Sequence, residues 1–432
     1  MDRFMEKDND TAPIPFARSF IGREEEEAVL AVLRSGWLTT GKETIELENE
    51  FSAFLRNDGD PHSPVYCMAV NSATSGLHLA LESLGIAKGD LVLVPSMTFT
   101  SSAEVARYLG AEPVFVDVSP GSYHMDPAAL EATLERLKKG ETAYPARGFL
   151  ARGAPGEGFG PRGKAAAVMP VHYGGLPCDM DAILGIAEKY GVKVVEDAAH
   201  SFPSLMDTGK WGKKYAGTIG DAGVFSFYAT KTMTTGEGGM VVTRDKITAE
   251  RIKIMRSHGI DRSIWNRYTD AKASWYYEVI APGFKYNIPD LLSAIGRAQL
   301  HRVMDLLSMR REIARRYDEA FGGDRHFKIP PTGDGDARHL YPLRLKLDRL
   351  SIDRNEFAEK LQERGIGISV HFIPLHTMPY YKQRYALEEG DFPQTMASYV
   401  RTISLPIWPG MSDSQISRVI TVVKTLGEEY NK

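Results

Sequence analysis

The stretch Phe225-Ser-Phe-Tyr-Ala-Thr-Lys-Thr-Met-Thr-Thr-Gly-Glu-Gly-Gly239 places one lysine, Lys231, among threonines and glycines directly after a short apolar run. A lysine that is buried or coupled to other charges loses its proton readily and can bond to a carbonyl compound as a Schiff base. The lysine of a phosphate-binding P-loop needs its glycines before it, whereas here the glycines follow. Lys231 is therefore the first candidate catalytic residue.

Short apolar strands alternate with helical segments on both sides of this stretch. Strands without polar alternation, separated by helices, are typical of a mostly parallel sheet that is buried on both faces. We expect an α/β domain over residues 13–305. Its predicted strands are Val65–Val70, Leu91–Val94, Pro113–Val118, Ala165–Val171, Lys193–Glu196, Ala222–Phe227 and Gly239–Thr243, with helices over Arg23–Ser35 and Thr44–Leu55 and from Thr74, Ser101, Pro127 and Met180.

The pattern changes after Pro289, where a long helical stretch runs to about Phe321 with a break near Asp305. The segment that follows predicts a smaller C-terminal α+β domain, residues 306–432. Its elements are a strand Leu340–Leu347, a helix Arg354–Arg364, a strand Gly367–Phe372 and a helix Ser414–Tyr430. Residues 1–12 are expected to form a disordered tail, and residues 140–164, rich in Gly, Pro and Arg, a surface insertion.

Besides the Lys231 segment, three segments with chemically distinctive side chains follow predicted strands. In open α/β sheets ligands bind at the carboxyl ends of strands. The stretch Asn71–Gly76 leads into a helix, and the N–H groups of Thr74, Ser75 and Gly76 either bind an anion or only belong to a capped helix start. Phe99 either stacks on a planar ligand or belongs to the core. Asp197 suits a protonated ring nitrogen or caps a helix, and His200 reaches the same place if the chain turns helically.

Together with Lys231, these segments provide an anion-binding helix start, an aromatic ring that can stack on a ligand, a carboxylate and an amine. These four features match the phosphate, the ring face, the pyridine nitrogen and the aldehyde of pyridoxal phosphate (PLP). The residues therefore predict a PLP site.

Many segments in order also resemble the DegT-type sugar aminotransferases, a branch of the fold-type-I, aspartate aminotransferase-like PLP enzymes. The resemblance runs from about Pro15 to Leu426, except in the insertion, and looks closest to the subgroup that makes 4-amino-4-deoxy-L-arabinose on a nucleotide. Its main segments are Ser35–Gly41, Asn71–Leu79, Pro170–Asp181, Glu196–Ser201, Phe225–Gly239, Gly283–Asn287 and Val370–His376.

The resemblance implies a role for each matching residue. Lys231 forms the Schiff base and relays a proton, while Asp197 keeps the pyridine nitrogen protonated. Phe99 stacks on the ring, and His200 lies near the ring hydroxyl. The phosphate is bound by Ala73, Thr74 and Ser226.

Further positions are implied at the substrate side and at a subunit interface. Asn287, with Lys285 beside it, reaches the cofactor of a neighbouring subunit, which makes the protein a homodimer with shared sites. His371 and His376 line the sugar-nucleotide side. Their H-x₄-H spacing has no acidic or cysteine partner, so we expect no metal.

Two positions depart from the family pattern. Many relatives carry Gln where His200 stands, and Asn-x-Arg where this chain has Lys285-Tyr-Asn287. Relatives that act as dehydratases have lost the lysine, which Lys231 argues against here.

Composition excludes several other classes of function. A net charge of -4 over 432 residues favours neither nucleic-acid nor membrane-surface partners. The two cysteines, Cys67 and Cys178, cannot build a disulfide framework. Gly158-Phe-Gly-Pro-Arg-Gly163 matches the dinucleotide fingerprint formally but precedes a strand instead of following one, which excludes an NAD site. Without a signal core or an apolar span, a cytoplasmic protein is expected.

The sequence thus predicts an aminotransferase that moves an amino group from glutamate to a nucleotide-linked keto-sugar, with the keto group at C4, in the synthesis of surface-polysaccharide or glycoconjugate precursors. A PLP-dependent sugar dehydratase and a cyclitol aminotransferase remain as alternatives on the same fold. A PLP-binding regulator is the non-enzymatic alternative.

Overall fold

A computed structural model describes residues 12–56, 64–145, 160–261, 276–333 and 335–432. The predicted N-terminal tail lies outside this part of the chain, apart from Ala12. Both cysteines are free and buried. No helix within the described ranges is long and apolar enough to cross a bilayer.

Helices and strands alternate through the first two thirds of the chain, as the apolar pattern predicts. The elements of this part are α1 Arg23–Ser35, α2 Lys42–Leu55, β1 Tyr66–Val70, α3 Ala73–Ser83, β2 Asp90–Pro95, α4 Ser101–Tyr108, β3 Glu112–Val116, α5 Pro127–Lys138, β4 Lys164–Val168, α6 Met180–Tyr190, β5 Lys193–Asp197, β6 Leu205–Thr208, β7 Gly212–Tyr215, β8 Ala222–Ser226, β9 Gly239–Thr243, α7 Lys246–Met255 and α8 Asp290–His301.

The remaining elements build a smaller unit around a three-stranded antiparallel sheet of order β10-β11-β12. They are α9 Val303–Phe321, β10 Phe327–Lys328, β11 Tyr341–Leu345, α10 Arg354–Glu363, α11 Pro379–Tyr385, α12 Pro393–Tyr399, β12 Thr402–Leu405 and α13 Asp413–Glu429.

Seven strands form the main sheet in the order β1-β9-β8-β5-β4-β2-β3. β9 runs antiparallel to both of its neighbours, and every other pairing is parallel. The mostly parallel sheet is therefore confirmed. The chain leaves β8 at Ser226 and returns as β9 at Gly239, so the segment that carries Lys231 is the connection between two neighbouring strands. A side chain at Gly239 would meet the backbone of Ala73 at 2.9 Å, which explains the glycine there.

α9 belongs to both units. Val303 at its start packs into a core of the large sheet domain, whereas Ile313 and Phe321 pack into the core of the smaller unit. The helical stretch breaks at Arg302, which separates α8 from α9, rather than at Asp305.

The N-terminal residues connect the same two units. Ile14, which was expected in the large domain, is buried in the smaller core and pairs with Ile366. Trp408 Nε1 donates to the Pro15 carbonyl at 3.3 Å, and Ser19 Oγ donates to the Ala229 carbonyl at 2.7 Å. The first described residues therefore join the smaller core to the Lys231 segment.

The structure differs from the predicted elements in two further places. Instead of a strand over Gly367–Phe372, a single bridge joins Ser369 to Ser404, because the chain turns away from the sheet to line a cavity. The ends of the predicted insertion are part of the fold: Tyr144 is buried, and its hydroxyl accepts the Phe115 N–H at 2.8 Å. Residues 146–159 lie outside the described part.

Candidate active site

A cavity of about 490 Å³ opens at the carboxyl edge of the main sheet. It collects most of the residues singled out from the sequence. Those that line it are Ala73, Thr74, Phe99, Asp197, His200, Ser226, Lys231 and His371, with Phe372 beside them. Segments that are far apart in the chain thus converge on one space.

Lys231 extends from the β8–β9 connection, where its N–H donates to the Tyr228 carbonyl at 2.9 Å. Burial lowers the pKa of the Lys231 amine to about 7; the charge of Asp197 opposes this effect and that of Arg310 adds to it. Close to neutral pH the amine therefore exists in both protonation states, as a nucleophile or proton carrier requires.

Asp197 ends β5 and is buried. Ser102 Oγ donates to its Oδ2 at 2.7 Å, and the Ala199 N–H donates to its Oδ1 at 3.2 Å. Burial raises the pKa of the carboxyl, against these two hydrogen bonds and the charges of Lys231 and His172. No ion pair joins Asp197 to a cation within the described ranges, so a cationic ligand group would relieve the cost of its burial.

Glu196, next to Asp197, has a structural role. Its carboxylate is fully buried and accepts the backbone N–H groups of Gly217, Ile219 and Gly220. The pKa of Glu196 is lowered, because these bonds and one from His172 outweigh burial, which acts in the opposite direction. The Glu196-Asp197 pair therefore splits into a carboxylate that anchors the loop and one that faces the cavity.

The anion end of the cavity is formed by the start of α3. Ser72 caps this helix by accepting the Ser75 N–H, and Ala73 and Thr74 follow in its first turn. The first N–H groups of a helix have no partner inside the helix and attract anions. Ser226 lies across from this turn at the end of β8 and lines the same space.

Three histidines surround Lys231. His339 Nε2 lies 3.4 Å from Lys231 Nζ, and the His200 and His339 rings are 4.5 Å apart. The Gly174 N–H donates to His200 Nδ1 at 3.2 Å, so the neutral ring carries its proton on Nε2. Burial, with the charge of Lys231, lowers the pKa of all three imidazoles, that of His371 to about 3.

Phe99 is 56% exposed, which excludes the core alternative. Its ring centroid lies 5.8 Å from that of Phe372 at the cavity wall. A planar ligand would therefore meet an aromatic face that the fold leaves open.

Three predicted residues do not line the cavity of their own chain. Asn287 Nδ2 donates to Thr40 Oγ1 at 2.6 Å, and its Oδ1 is buried without a described partner. Lys285 pairs through its backbone with Ser257. The position of His376 does not support a contact with substrate: it is fully buried, and its Nδ1 lies 2.6 Å from Ser96 Oγ.

The sequence interpretation missed residues that come from distant segments. His339 precedes β11 and is 108 positions from Lys231 along the chain. Ser102 lies in the first turn of α4, and Arg310 in the middle of α9. The only signal for His339 was a histidine directly before a predicted apolar strand, and that pattern is common.

The donor set fits pyridoxal phosphate. An unpaired buried carboxylate, an open aromatic face, a helix start and an amine of depressed pKa correspond to the ring nitrogen, ring face, phosphate and aldehyde of the cofactor. The assignment of each residue to its part of the cofactor stays a prediction.

Comparison with known proteins agrees with this fit. The spore coat polysaccharide biosynthesis protein SpsC of Bacillus subtilis (strain 168) is 40% identical over 416 residues, which cover 96% of this chain and 97% of SpsC. Spr1654 of Streptococcus pneumoniae, described as a sugar aminotransferase and solved in its pyridoxamine phosphate form, superposes with a TM-score of 0.82 at 29% identity, over 96% of this chain and 99% of that one.

A further similar structure is PseC of Helicobacter pylori, an aminotransferase involved in the biosynthesis of pseudoaminic acid. It has a TM-score of 0.80 at 25% identity and covers 97% of this chain and 100% of its own. The fold-type-I architecture is thereby confirmed. Residues 19–424 match the DegT/DnrJ/EryC1/StrS aminotransferase family. The protein belongs to this family and is an aminotransferase that uses pyridoxal phosphate.

Proposed function

We propose that the enzyme transfers an amino group from glutamate to the C4 keto group of a nucleotide-linked sugar, for a surface polysaccharide or glycoconjugate. The observation that carries the reaction type is the convergence of Lys231 and Asp197 on one cavity. Support for a sugar acceptor comes from the relatives, since SpsC is named for polysaccharide biosynthesis and Spr1654 as a sugar aminotransferase.

Lys231 would hold the cofactor covalently and, once released, would carry a proton between carbon and nitrogen. Its pKa of about 7 leaves enough neutral amine to accept that proton. Asp197 would keep the pyridine nitrogen protonated. Bound PLP supplies the electron sink that makes the proton on the amino-bearing carbon acidic.

The outer part of the cavity would receive donor and acceptor in turn. Phe16, Phe372 and Ile407 give it an apolar wall that suits a sugar ring face, and His371 adds a neutral ring whose Nδ1 is 2.9 Å from Ser404 Oγ. Among the described residues that line it, Lys231 is the only lysine or arginine. We therefore infer that cations for the diphosphate come from a second subunit, with Lys285 as the candidate.

Presence of the lysine disfavours the dehydratase alternative, because the relatives that act as dehydratases lack it. A cyclitol ketone as acceptor is the remaining enzymatic alternative. A purely regulatory role is disfavoured because the chain belongs to an aminotransferase family.

The test supplies a 4-keto nucleotide sugar, a 3-keto nucleotide sugar and a free cyclitol ketone separately, each with glutamate, and follows 2-oxoglutarate release. We expect turnover with the 4-keto substrate and none in Lys231→Ala, which should also lose the visible cofactor absorption. Turnover of the 3-keto sugar alone, or of the cyclitol alone, would refute the acceptor assignment and leave the aminotransferase reaction intact.

A further inference from the structure

Arg310 is a buried cation directly behind the active site. It lies in the middle of α9, and only 2% of its surface is exposed. Its guanidinium donates to three backbone carbonyls, those of Thr230 at 3.0 Å, His339 at 3.2 Å and Ile407 at 2.8 Å. The three acceptors come from three separate segments of the chain.

Other arginines of this fold bind carboxylates. Arg297 bonds to Glu43 and Glu50, and Arg256 to Glu48. In the described part of the chain no carboxylate lies within ion-pair distance of Arg310, and its Nε has no hydrogen-bond partner. A buried charge without a counter-ion is costly. Its field also acts strongly on neighbouring groups, because the protein interior screens charge less than water does.

Each of the three carbonyls belongs to the wall around Lys231. Thr230 precedes Lys231 in the chain. His339 is the residue whose Nε2 lies 3.4 Å from Lys231 Nζ, and Ile407 lines the cavity. Arg310 thus holds the backbone beside the amine and the imidazole that faces it.

We propose that Arg310 is a positioning residue of the transamination site: its three backbone contacts fix Lys231 against His339, and its uncompensated charge disfavours the ammonium form of Lys231. The inference rests on the proposed role of Lys231. A lysine that must accept a proton and bond again to the cofactor has to be neutral at working pH, and a positive charge nearby favours that form.

The charged and titratable groups that face Lys231 are few. Asp197, from β5, stabilises the ammonium form, and Arg310, from α9, disfavours it. His200, His339 and His371 come from three further segments and stay neutral, because burial depresses the pKa of each ring. Burial is the largest influence on the pKa of the Lys231 amine, and among the described residues Arg310 is the cation that acts against Asp197.

The experiment measures the protonation of Lys231 itself. The full-length protein is loaded with pyridoxamine phosphate, which has no aldehyde and leaves Lys231 free. Trace labelling of the amine is then followed by peptide mass spectrometry between pH 5 and 10. The variants are Arg310→Gln, which removes the charge, and Arg310→Lys, which keeps it.

Arg344→Gln is the matched control. Arg344 is also buried and donates to backbone carbonyls, but these belong to Gly121 and Ser122, which do not line the cavity. We expect the labelling midpoint of Lys231 to rise by about 1 pH unit in Arg310→Gln, as for loss of a neighbouring like charge. The midpoint should stay in place in Arg310→Lys and in Arg344→Gln.

An unchanged midpoint in Arg310→Gln would overturn the proposal, as would an equal shift in Arg310→Lys or Arg344→Gln. Borohydride reduction of the PLP form identifies the cofactor lysine separately. An adduct on another lysine would refute the role of Lys231, while its labelling midpoint would still report the effect of Arg310.

Discussion

Both oxygens of the Asp197 carboxylate accept a hydrogen bond from a neutral donor, Ser102 Oγ or the Ala199 N–H. The carboxylate also lines the cavity, where it can meet a ligand. An amide at this position keeps the shape but cannot stabilise a protonated ring nitrogen. We therefore expect Asp197→Asn to retain cofactor and to lose at least about 100-fold in kcat, comparable with the loss of a general acid–base group.

Ser102→Ala is the control for this prediction. It removes one hydrogen bond to the carboxylate and should cost about 10-fold in kcat, since a hydrogen bond to a charged group contributes at least about 1.5 kcal/mol. Near-normal turnover of Asp197→Asn, measured at saturating substrates, would reduce Asp197 to a structural residue.

His200 is set as a hydrogen-bond donor by its backbone contact. Because the Gly174 N–H occupies Nδ1, the Nε2–H remains for a ligand. Gln, which many relatives carry here, offers the same donor without a titratable ring. We expect His200→Gln to stay within about 10-fold of the parent kcat/KM, the scale of one hydrogen bond.

His200→Phe should be impaired further, because it keeps the ring contacts with His339 and Phe372 but offers no donor. If both variants had the same kcat/KM and released cofactor equally fast, stacking alone would account for the residue.

Residues that follow a strand could be found from the sequence, and those that act across domains could not. Lys231, Asp197 and Phe99 each come shortly after an apolar run, so topology alone predicts that they meet. In the sequence, Arg310 looks like any arginine of a helix and His339 like any histidine of a loop, so neither is indicated as a site residue. His376 is the reverse case, since the family resemblance implies a place on the substrate side but its buried ring lies between Ser96 and Phe392.

At the scale of elements, the two ends of the predicted insertion lie next to each other. The Ala143 N–H donates to the Pro161 carbonyl at 3.0 Å, so the two ends already meet. Replacing residues 146–159 by a short Gly-Ser linker should therefore change the melting temperature little, because loop-closure entropy depends weakly on length. Cofactor absorption should be unaffected. A loss of cofactor or of the dimer would assign the segment to an interface.

Deletion of the whole span 140–164 would do more damage than the shorter replacement. It removes Tyr144, whose hydroxyl accepts the Phe115 N–H beside β3, and the first residue of β4. Tyr144→Phe isolates the first effect and should lower the free energy of unfolding by about 1–3 kcal/mol, since a buried N–H loses its acceptor. Chemical denaturation of the parent and of Tyr144→Phe measures this difference in the free energy of unfolding.

Elements with strong local signals were predicted well, and those set by tertiary contacts were not. α1 begins and ends as its apolar stripe and Gly36 indicate. β12 was not predicted, because its four residues become a strand only by pairing with β11. The predicted strand over Gly367–Phe372 failed for the opposite reason, since its one bridge to a neighbouring strand, Ser369 to Ser404, does not continue into a ladder.

At the scale of the whole molecule, the proposed dimer can be tested by complementation. Leu30 and Leu33 lie on one face of α1 and are exposed, as expected of an unpaired contact surface. If Asn287 serves the cofactor of the other subunit, a mixed dimer of Lys231→Ala and Asn287→Ala chains contains one intact site. Random mixing of the two inactive variants should then restore roughly a quarter of the parent activity.

The control is the double variant Lys231→Ala/Asn287→Ala mixed in equal amount with parent chains, which should halve the activity of those parent chains, because neither site of the mixed dimer keeps both residues. Mixed single variants that stay as inactive as each alone would mean that Asn287 acts within its own subunit.

The N-terminal residues have a consequence for the order in which the protein is made. Ile14, Pro15 and Phe16 leave the ribosome long before their partners Ile366, Trp408 and His371 are synthesised. Domains generally fold from the N-terminus as they emerge. The sheet can therefore assemble during translation, but the wall that Phe16 gives the cavity has to wait until the segment that contains His371 has been synthesised. The active-site cavity is thus completed after the sheet that carries Lys231.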